Sequence, residues 1–134
     1  DPKSQYAAVI PKFITLVLNN KVPEIYGDGT QSRDFTFIDN VVDANIKAAL
    51  SPDAPGNVFN VACNERSSIN DMVDILSGIS GKEINPTFSE SRFGDVKHSL
   101  ADISKARSIL KFEPVVKFKD GLEKTFTWFS EKQN

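Results

Sequence analysis

One cysteine and one histidine in 134 residues leave little room for two kinds of chemistry. Cys63 has no second cysteine for an internal disulfide, and with His98 alone it cannot build a metal site. A nucleophile–His–acid triad would have to use His98, and no serine stands in a strained turn motif. The apolar setting VFNVAC marks Cys63 as a small core residue rather than a reactive thiol. Charge of one sign is also lacking. Sixteen Lys and Arg against 18 Asp and Glu give a net −2, which provides no electrostatic footprint for nucleic acid or an anionic membrane. No apolar run reaches membrane-spanning length and no signal-peptide pattern is present, so a reducing cytoplasm is expected. There is neither a P-loop nor a G-x-G-x-x-G fingerprint. The chain opens Asp-Pro-Lys-Ser-Gln without an initiator methionine and enters a helical pattern without a first strand. That opening suggests a piece of something longer.

What remains is ordinary for a globular chain: 40% hydrophobic and 25% charged residues, in a single-domain length able to bury a core. The stretch Tyr26–Asp39, YGDGTQSRDFTFID, organises the reading. Gly27 and Gly29 flank Asp28 in a turn-prone triplet. Arg33 then opens an alternating run, Asp34–Ile38, that reads as a short strand, and Asp39 is a candidate N-cap for the apolar-periodic segment after it. An arginine between a glycine turn and a strand is placed to receive an anion, although a plain surface arginine explains it as well.

Along the chain, helical spacing predicts a helix over Ile10–Asn20, with Pro11 in its first turn. Extended pieces follow at Glu24–Tyr26 and Asp34–Ile38, then a helix over Asn40–Leu50, broken by Ser51–Gly56. Asn57–Ala62, NVFNVA, suits a strand covered on both faces, as in parallel sheets. Ser67 or Ser68 caps the next helix, with Asp71 favouring its dipole and Gly78 and Gly81 ending it. Pro86–Phe88 is a weak strand, Ser91–Val96 is irregular, and helices follow from Asp102 to Leu110 and from Phe118 to Ser130. The order α-β-β-α-β-α-(β)-α-α is mixed α/β, and no part of it is a complete doubly wound sheet.

The chemistry in these residues is binding chemistry. Arg33 and Arg92 are two guanidinium groups in irregular segments, and such forks match phosphate oxygens, so a pair could clamp a diphosphate. Asp95, three residues beyond Arg92 across Gly94, could accept hydrogen bonds from two vicinal hydroxyls. Taken alone, Arg-x-Gly-Asp also describes a salt-bridged loop.

Five stretches, taken together, resemble the carboxyl-terminal, substrate-binding part of the extended short-chain dehydrogenase/reductases, the nucleotide-sugar epimerases and dehydratases. They are AAVIPKFI (Ala7–Ile14), IYGDGTQSRDFTFIDNVVDA (Ile25–Ala44), FNVA (Phe59–Ala62), RFGDVKHSLADISKAR (Arg92–Arg107) and GLEKTFTWF (Gly121–Phe129). The UDP-sugar 4-epimerases, including those acting on N-acetylhexosamines, are nearest in look, and DPKSQYAAVIPKF points there. The resemblance implies a partial, mixed α/β substrate-binding domain spanning residues 1–134, with the Rossmann NAD-binding portion absent. It implies that Arg33 and Arg92 contact the substrate diphosphate and Asp95 the ribose hydroxyls. Val9, Phe13, Ile25 and Tyr26 would line the slot for the base, with Phe13 equally readable as core, and Asn64 is a weaker substrate contact. His98 reads as structural. The implied cofactor is NAD, held by the full-length enzyme and not by this portion, and the implied partners are a UDP-sugar or another nucleotide-sugar and a second copy of the chain. The family's Tyr-x-x-x-Lys pair has no counterpart, since neither Tyr6 nor Tyr26 is followed by lysine four residues on. These 134 residues are therefore expected to be inactive alone. A 4,6-dehydratase, decarboxylase or reductase of the same family remains open, as does a non-enzymatic binding or assembly module. Phe35, Phe37, Val58 and Phe59 are expected near strands that normally join a larger sheet, where cutting would leave apolar surface that invites self-association.

Overall fold

A computed structural model describes residues 9–91, 94 and 96–133. Its architecture is mixed α/β, as expected, and the chain divides into two compact units: Asp1–Gln31, Ser68–Val96 and Leu122–Asn134 in the first, and Ser32–Ser67 with Lys97–Gly121 in the second.

In the first unit, α1 spans Val9–Leu18 and α3 spans Ile69–Ser80. Their buried residues follow helical spacing: Phe13, Ile14 and Val17 on one, Ile69, Met72, Val73 and Leu76 on the other. β1 (Glu24–Tyr26) pairs in parallel with β4 (Thr87–Ser89), Ile25 opposite Phe88. Ile25 points inward and is 1% exposed, whereas Phe88 is largely exposed. The end of α1 is closed by Lys82, whose Nζ donates to the Val17 carbonyl (3.0 Å) and to Asn20 Oδ1 (2.7 Å).

The glycine turn is stitched onto the start of α3. Asp28 Oδ1 accepts from the Thr30 amide (2.9 Å) and hydroxyl (2.6 Å), an Asx turn. Asn70 donates its amide N–H to the Gly29 carbonyl (3.1 Å) and its side-chain Nδ2 to the Asp28 carbonyl (3.2 Å). Gly29 has φ +77°, and a Cβ there would overlap the Asn70 amide, so both backbone shape and space demand glycine. Ser68 caps α3 with a complete capping box: its Oγ accepts from the Asp71 N–H (3.0 Å), and Asp71 Oδ2 accepts from the Ser68 N–H (2.7 Å). Gly81, at φ +66°, ends the helix, which runs through Gly78 without a break.

The second unit holds α2 (Ile38–Leu50) and α4 (Ser104–Leu110), and its core joins Ala44, Ala54, Ala62, Ile103, Ala106, Leu110 and Phe112. β2 is Ser32–Arg33, which pairs with β3 (Ser67–Ser68), and the expected strand at Asp34–Ile38 is not formed. Asp34 turns its carboxylate onto neighbouring loops, and the chain enters α2 at Ile38 with Phe37 at the N-cap, so Asp39 lies inside the first turn. The aromatic alternation has another purpose. Phe35 stacks on Phe118, centroids 4.8 Å apart, at the start of α5 (Phe118–Gln133), and Phe37 rests on Gly121, where a Cβ would approach its own Cβ to 2.9 Å. NVFNVA belongs to no ladder: Ala62 enters the core with Phe59 and Val61 packed against it, whereas Val58 is 83% exposed. Asp102 does not cap α4 as its N-cap residue, which is Ile103. It accepts from the Ser104 N–H (2.9 Å), and hydrogen bonds from the Ser104 side chain and then its amide lower the Asp102 carboxyl pKa.

Asn40 is fully buried and fully used. Its Oδ1 accepts from the amides of Val115 (2.9 Å) and Val116 (3.0 Å), and its Nδ2 donates to the Val116 carbonyl (2.8 Å) and faces Cys63 Sγ at 3.4 Å. This side chain acts as a strand edge for the segment after α4. Asn40→Ala is expected to lower unfolding free energy by about 2–4 kcal/mol, read by chemical denaturation, because the buried Val116 amide and carbonyl lose their partner. At the α3 cap, hydrogen bonds from Ser68 hold the Asp71 carboxyl below its usual 3.8. Its contribution is therefore present above that pH and lost as pH falls through the lowered value. Asp71→Asn is expected to melt below the parent at pH 7, with the gap closing as the pH drops below 3.8.

Candidate functional site

The chemistry-bearing part of the second unit is built around β2. Ser32 donates its N–H to the Lys97 carbonyl (2.9 Å) and accepts at its own carbonyl from the Ser99 N–H (3.1 Å), an isolated parallel bridge with His98 opposite Ser32. Its hydroxyl, on a residue 6% exposed, lies 2.9 Å from His98 Nδ1. Arg33 comes next and is half-buried. Its Nη1 donates to the Ser32 carbonyl (2.9 Å) and reaches the Lys97 carbonyl at 3.4 Å, so neutral main-chain acceptors fix the guanidinium in place.

Asp34 gathers three amides. One oxygen accepts from Cys63 N–H (2.9 Å), the other from Asn64 N–H (3.0 Å) and Ala101 N–H (3.4 Å). Asn64 sits at φ +53°, a left-handed turn that Asn tolerates, with its side chain exposed. Asn64 thus meets the residue after Arg33, Asp34, through its backbone amide. Cys63 is buried, and burial pushes its thiol pKa up, with the nearby Asp34 charge adding to the rise. The Sγ faces the Val116 carbonyl at 3.7 Å. A protonated, enclosed thiol is no nucleophile, in agreement with its reading as a core residue.

The remaining candidates fall elsewhere. In the first unit Phe13 and Ile25 are 2% and 1% exposed and pack in the core, while Val9 and Tyr26 are half-buried. Lys12 Nζ lies 5.6 Å from the Tyr26 ring centroid, and the Tyr26 carbonyl accepts from Gln31 Nε2 (2.7 Å). None of the four lines the open hollow of about 260 Å³ that runs from Val17–Pro23 to Lys82–Asn85. Arg92 and Asp95 lie outside the described residues. Sequence reasoning passed over Ser32, Asp34 and Asn40. An Asp directly after a strand arginine, and an Asn in the first turn of an apolar helix, were the available signals, and each is explained only by a partner 23 to 76 residues away.

Among the described residues no cluster of His, Cys, Asp and Glu could hold a metal, and no helix is long and apolar enough to cross a membrane. The Asn70 side chain fills the space over Gly29, so the Gly27–Gly29 turn is packed against the start of α3 and is not an open glycine cradle for a dinucleotide phosphate. Asp34→Ala is expected to cost about 2 kcal/mol and, in hydrogen exchange, to expose the amides of Cys63, Asn64 and Ala101 together.

Comparison with known proteins gives this geometry a setting. Residues 1–62 match the family model described as NAD dependent epimerase/dehydratase family. UDP-glucose 4-epimerase of Mycolicibacterium smegmatis is 33% identical over 98% of this chain and 42% of its own length. UDP-N-acetyl-alpha-D-glucosaminuronate decarboxylase of Bacillus cytotoxicus is 33% identical, over 96% and 42%. The crystal structure of UDP-glucose 4-epimerase from Thermotoga maritima with UDP-glucose superposes with a TM-score of 0.91 at 32% identity, over 100% of this chain and 42% of that one. UDP-N-acetylglucosamine 4-epimerase from Methanobrevibacter ruminantium M1, in complex with UDP-N-acetylmuramic acid, gives 0.89 at 43% identity, over 98% and 42%. The chain spans about two fifths of the length of the relatives it matches.

Proposed function

We infer, for a chain that carries a domain of the NAD dependent epimerase/dehydratase family and has the fold of the extended UDP-sugar epimerases, that it is the nucleotide-sugar-binding portion of a UDP-sugar 4-epimerase. In this reading residues 1–134 form one substrate-binding domain. Arg33 and Arg92 hold the diphosphate and Asp95 the ribose diol. Val9, Phe13, Ile25 and Tyr26 supply the apolar surroundings of the base, Phe13 and Ile25 from within the core and Val9 and Tyr26 from its partly exposed edge. Asn64 offers a polar contact to the substrate. NAD belongs to the full-length protein, whose remaining length would carry the Tyr-x-x-x-Lys pair absent here, so the 134 residues alone turn nothing over. A cytoplasmic homodimer is the expected context.

The observation that carries the reading is Arg33. Guanidinium groups recognise phosphate through a planar fork, and the fork is most effective when already oriented, because less side-chain entropy is lost on binding. Two main-chain carbonyls give Arg33 that orientation. Likeness to solved UDP-sugar complexes at 32% and 43% identity supports the choice of ligand. A decarboxylase is a second reading, favoured by the relative from Bacillus cytotoxicus. Both share the nucleotide end of the substrate and differ in chemistry that this chain's residues do not perform.

Titration calorimetry with UDP tests the assignment. Arg33→Ala and Arg92→Ala are each expected to weaken UDP binding by roughly 10- to 100-fold, the worth of about 1.5–3 kcal/mol for a charge-assisted contact. UDP affinity unchanged in both variants would contradict the assignment.

A further inference from the structure

The bridge between β2 and Lys97–Ser99 is short, and a short bridge has a register problem. Two backbone hydrogen bonds, Ser32 N–H to Lys97 O and Ser99 N–H to Ser32 O, define it. Each is weak in net terms, and a parallel pairing slipped by two residues would make the same two bonds with the side chains on the same faces. What a slip cannot reproduce is the side-chain pair. Opposite Ser32 it would place Val96 or Leu100 instead of His98, and neither has an atom that can bond a hydroxyl. Ser32 is 6% exposed, so its Oγ would be left without a partner inside the protein, a penalty of the size of the whole bridge.

We infer that Ser32 and His98 form a register clasp that positions Arg33 for phosphate: the Oγ–Nδ1 contact of 2.9 Å locks Lys97–Ser99 in one alignment and so sets the Lys97 carbonyl against Arg33 Nη1. His98 is exposed while its partner is buried, so the clasp closes at the surface and contributes little apolar packing. Both are positioning residues, acting through the arginine. The inference rests on the proposed nucleotide-sugar reading, because it takes Arg33 to be a phosphate ligand.

The test is a double-mutant cycle on UDP affinity in the protein containing all 134 residues, by calorimetry, with thermal melting alongside. His98→Ala and Ser32→Ala are each expected to weaken UDP binding about five- to tenfold, and the double variant no more than either alone, since both break one contact. His98→Asn, whose side-chain amide can take the place of Nδ1, is expected to restore affinity to within about twofold. In an Arg33→Ala background His98→Ala is expected to have no further effect on affinity, a result that a general loss of stability would not produce. If Arg33→Ala weakens binding but the two clasp variants do not, or if their effect persists without Arg33, the clasp is overturned and the nucleotide reading stands. If UDP does not bind the parent protein, or Arg33→Ala leaves affinity unchanged, the nucleotide reading fails and takes the clasp's purpose with it.

Discussion

The second unit depends on one carboxylate. Asp34 collects the amides of Cys63, Asn64 and Ala101, which lie 29, 30 and 67 residues away along the chain. A carboxylate accepting several backbone donors is a strong anchor, because charge assistance roughly doubles each bond and the alternative leaves amides without partners. Here the anchor sits immediately after Arg33. The segment that carries the guanidinium is therefore held from two directions, by the Lys97–Ser99 bridge on one side and by the Asp34 amide cluster on the other. Asn40 does a comparable job in the first turn of α2, presenting an acceptor and a donor to Val115–Val116 as a strand edge would. Both devices replace regular sheet with side-chain mimicry of backbone. They explain how a unit with few ladder residues keeps its loops in register.

Glycine plays the matching part where chains approach closely. Gly29 leaves room for the Asn70 amide at the start of α3, and Gly121 leaves room for Phe37 at the start of α5. In each case a preceding segment is seated on the first turn of a helix, over space that a side chain would otherwise fill. Phe35 stacks on Phe118 at the start of the same helix, α5.

Much of this was legible in the amino-acid order. Helices α1, α3, α4 and α5 follow from apolar spacing, and the Ser68–Asp71 cap from the residue types at that spacing. The mixed α/β class and the epimerase likeness also follow from the residues, the latter because five motifs occur in order along nearly the whole chain. Two strands were misjudged for an instructive reason. Asp34–Ile38 alternates as a strand does, yet its alternation serves an aspartate anchor and two aromatic seats rather than a ladder. Asn57–Ala62 has the composition of a covered strand, but Val58 meets solvent. Local pattern reports what a segment can bury and does not report which partner is present. The roles of Ser32, Asp34 and Asn40 were invisible for the same reason, since each is defined by contacts distant in sequence. The setting of Arg33 between a glycine turn and an extended run was legible, whereas the carbonyls that orient it were not.

The central claim is that a main-chain-held arginine on β2 meets the phosphates of a nucleotide-sugar. Nitrogen-15 NMR of the arginine side chains during addition of UDP-glucose addresses it directly, because each guanidinium reports its own environment. The expected result is a saturable shift of the Arg33 Nε resonance, accompanied by the amides of Ser32 and Lys97–Ser99 and absent for Arg107, which pairs with Glu113. An Arg33 signal that stays in place while ligand binds would contradict the claim.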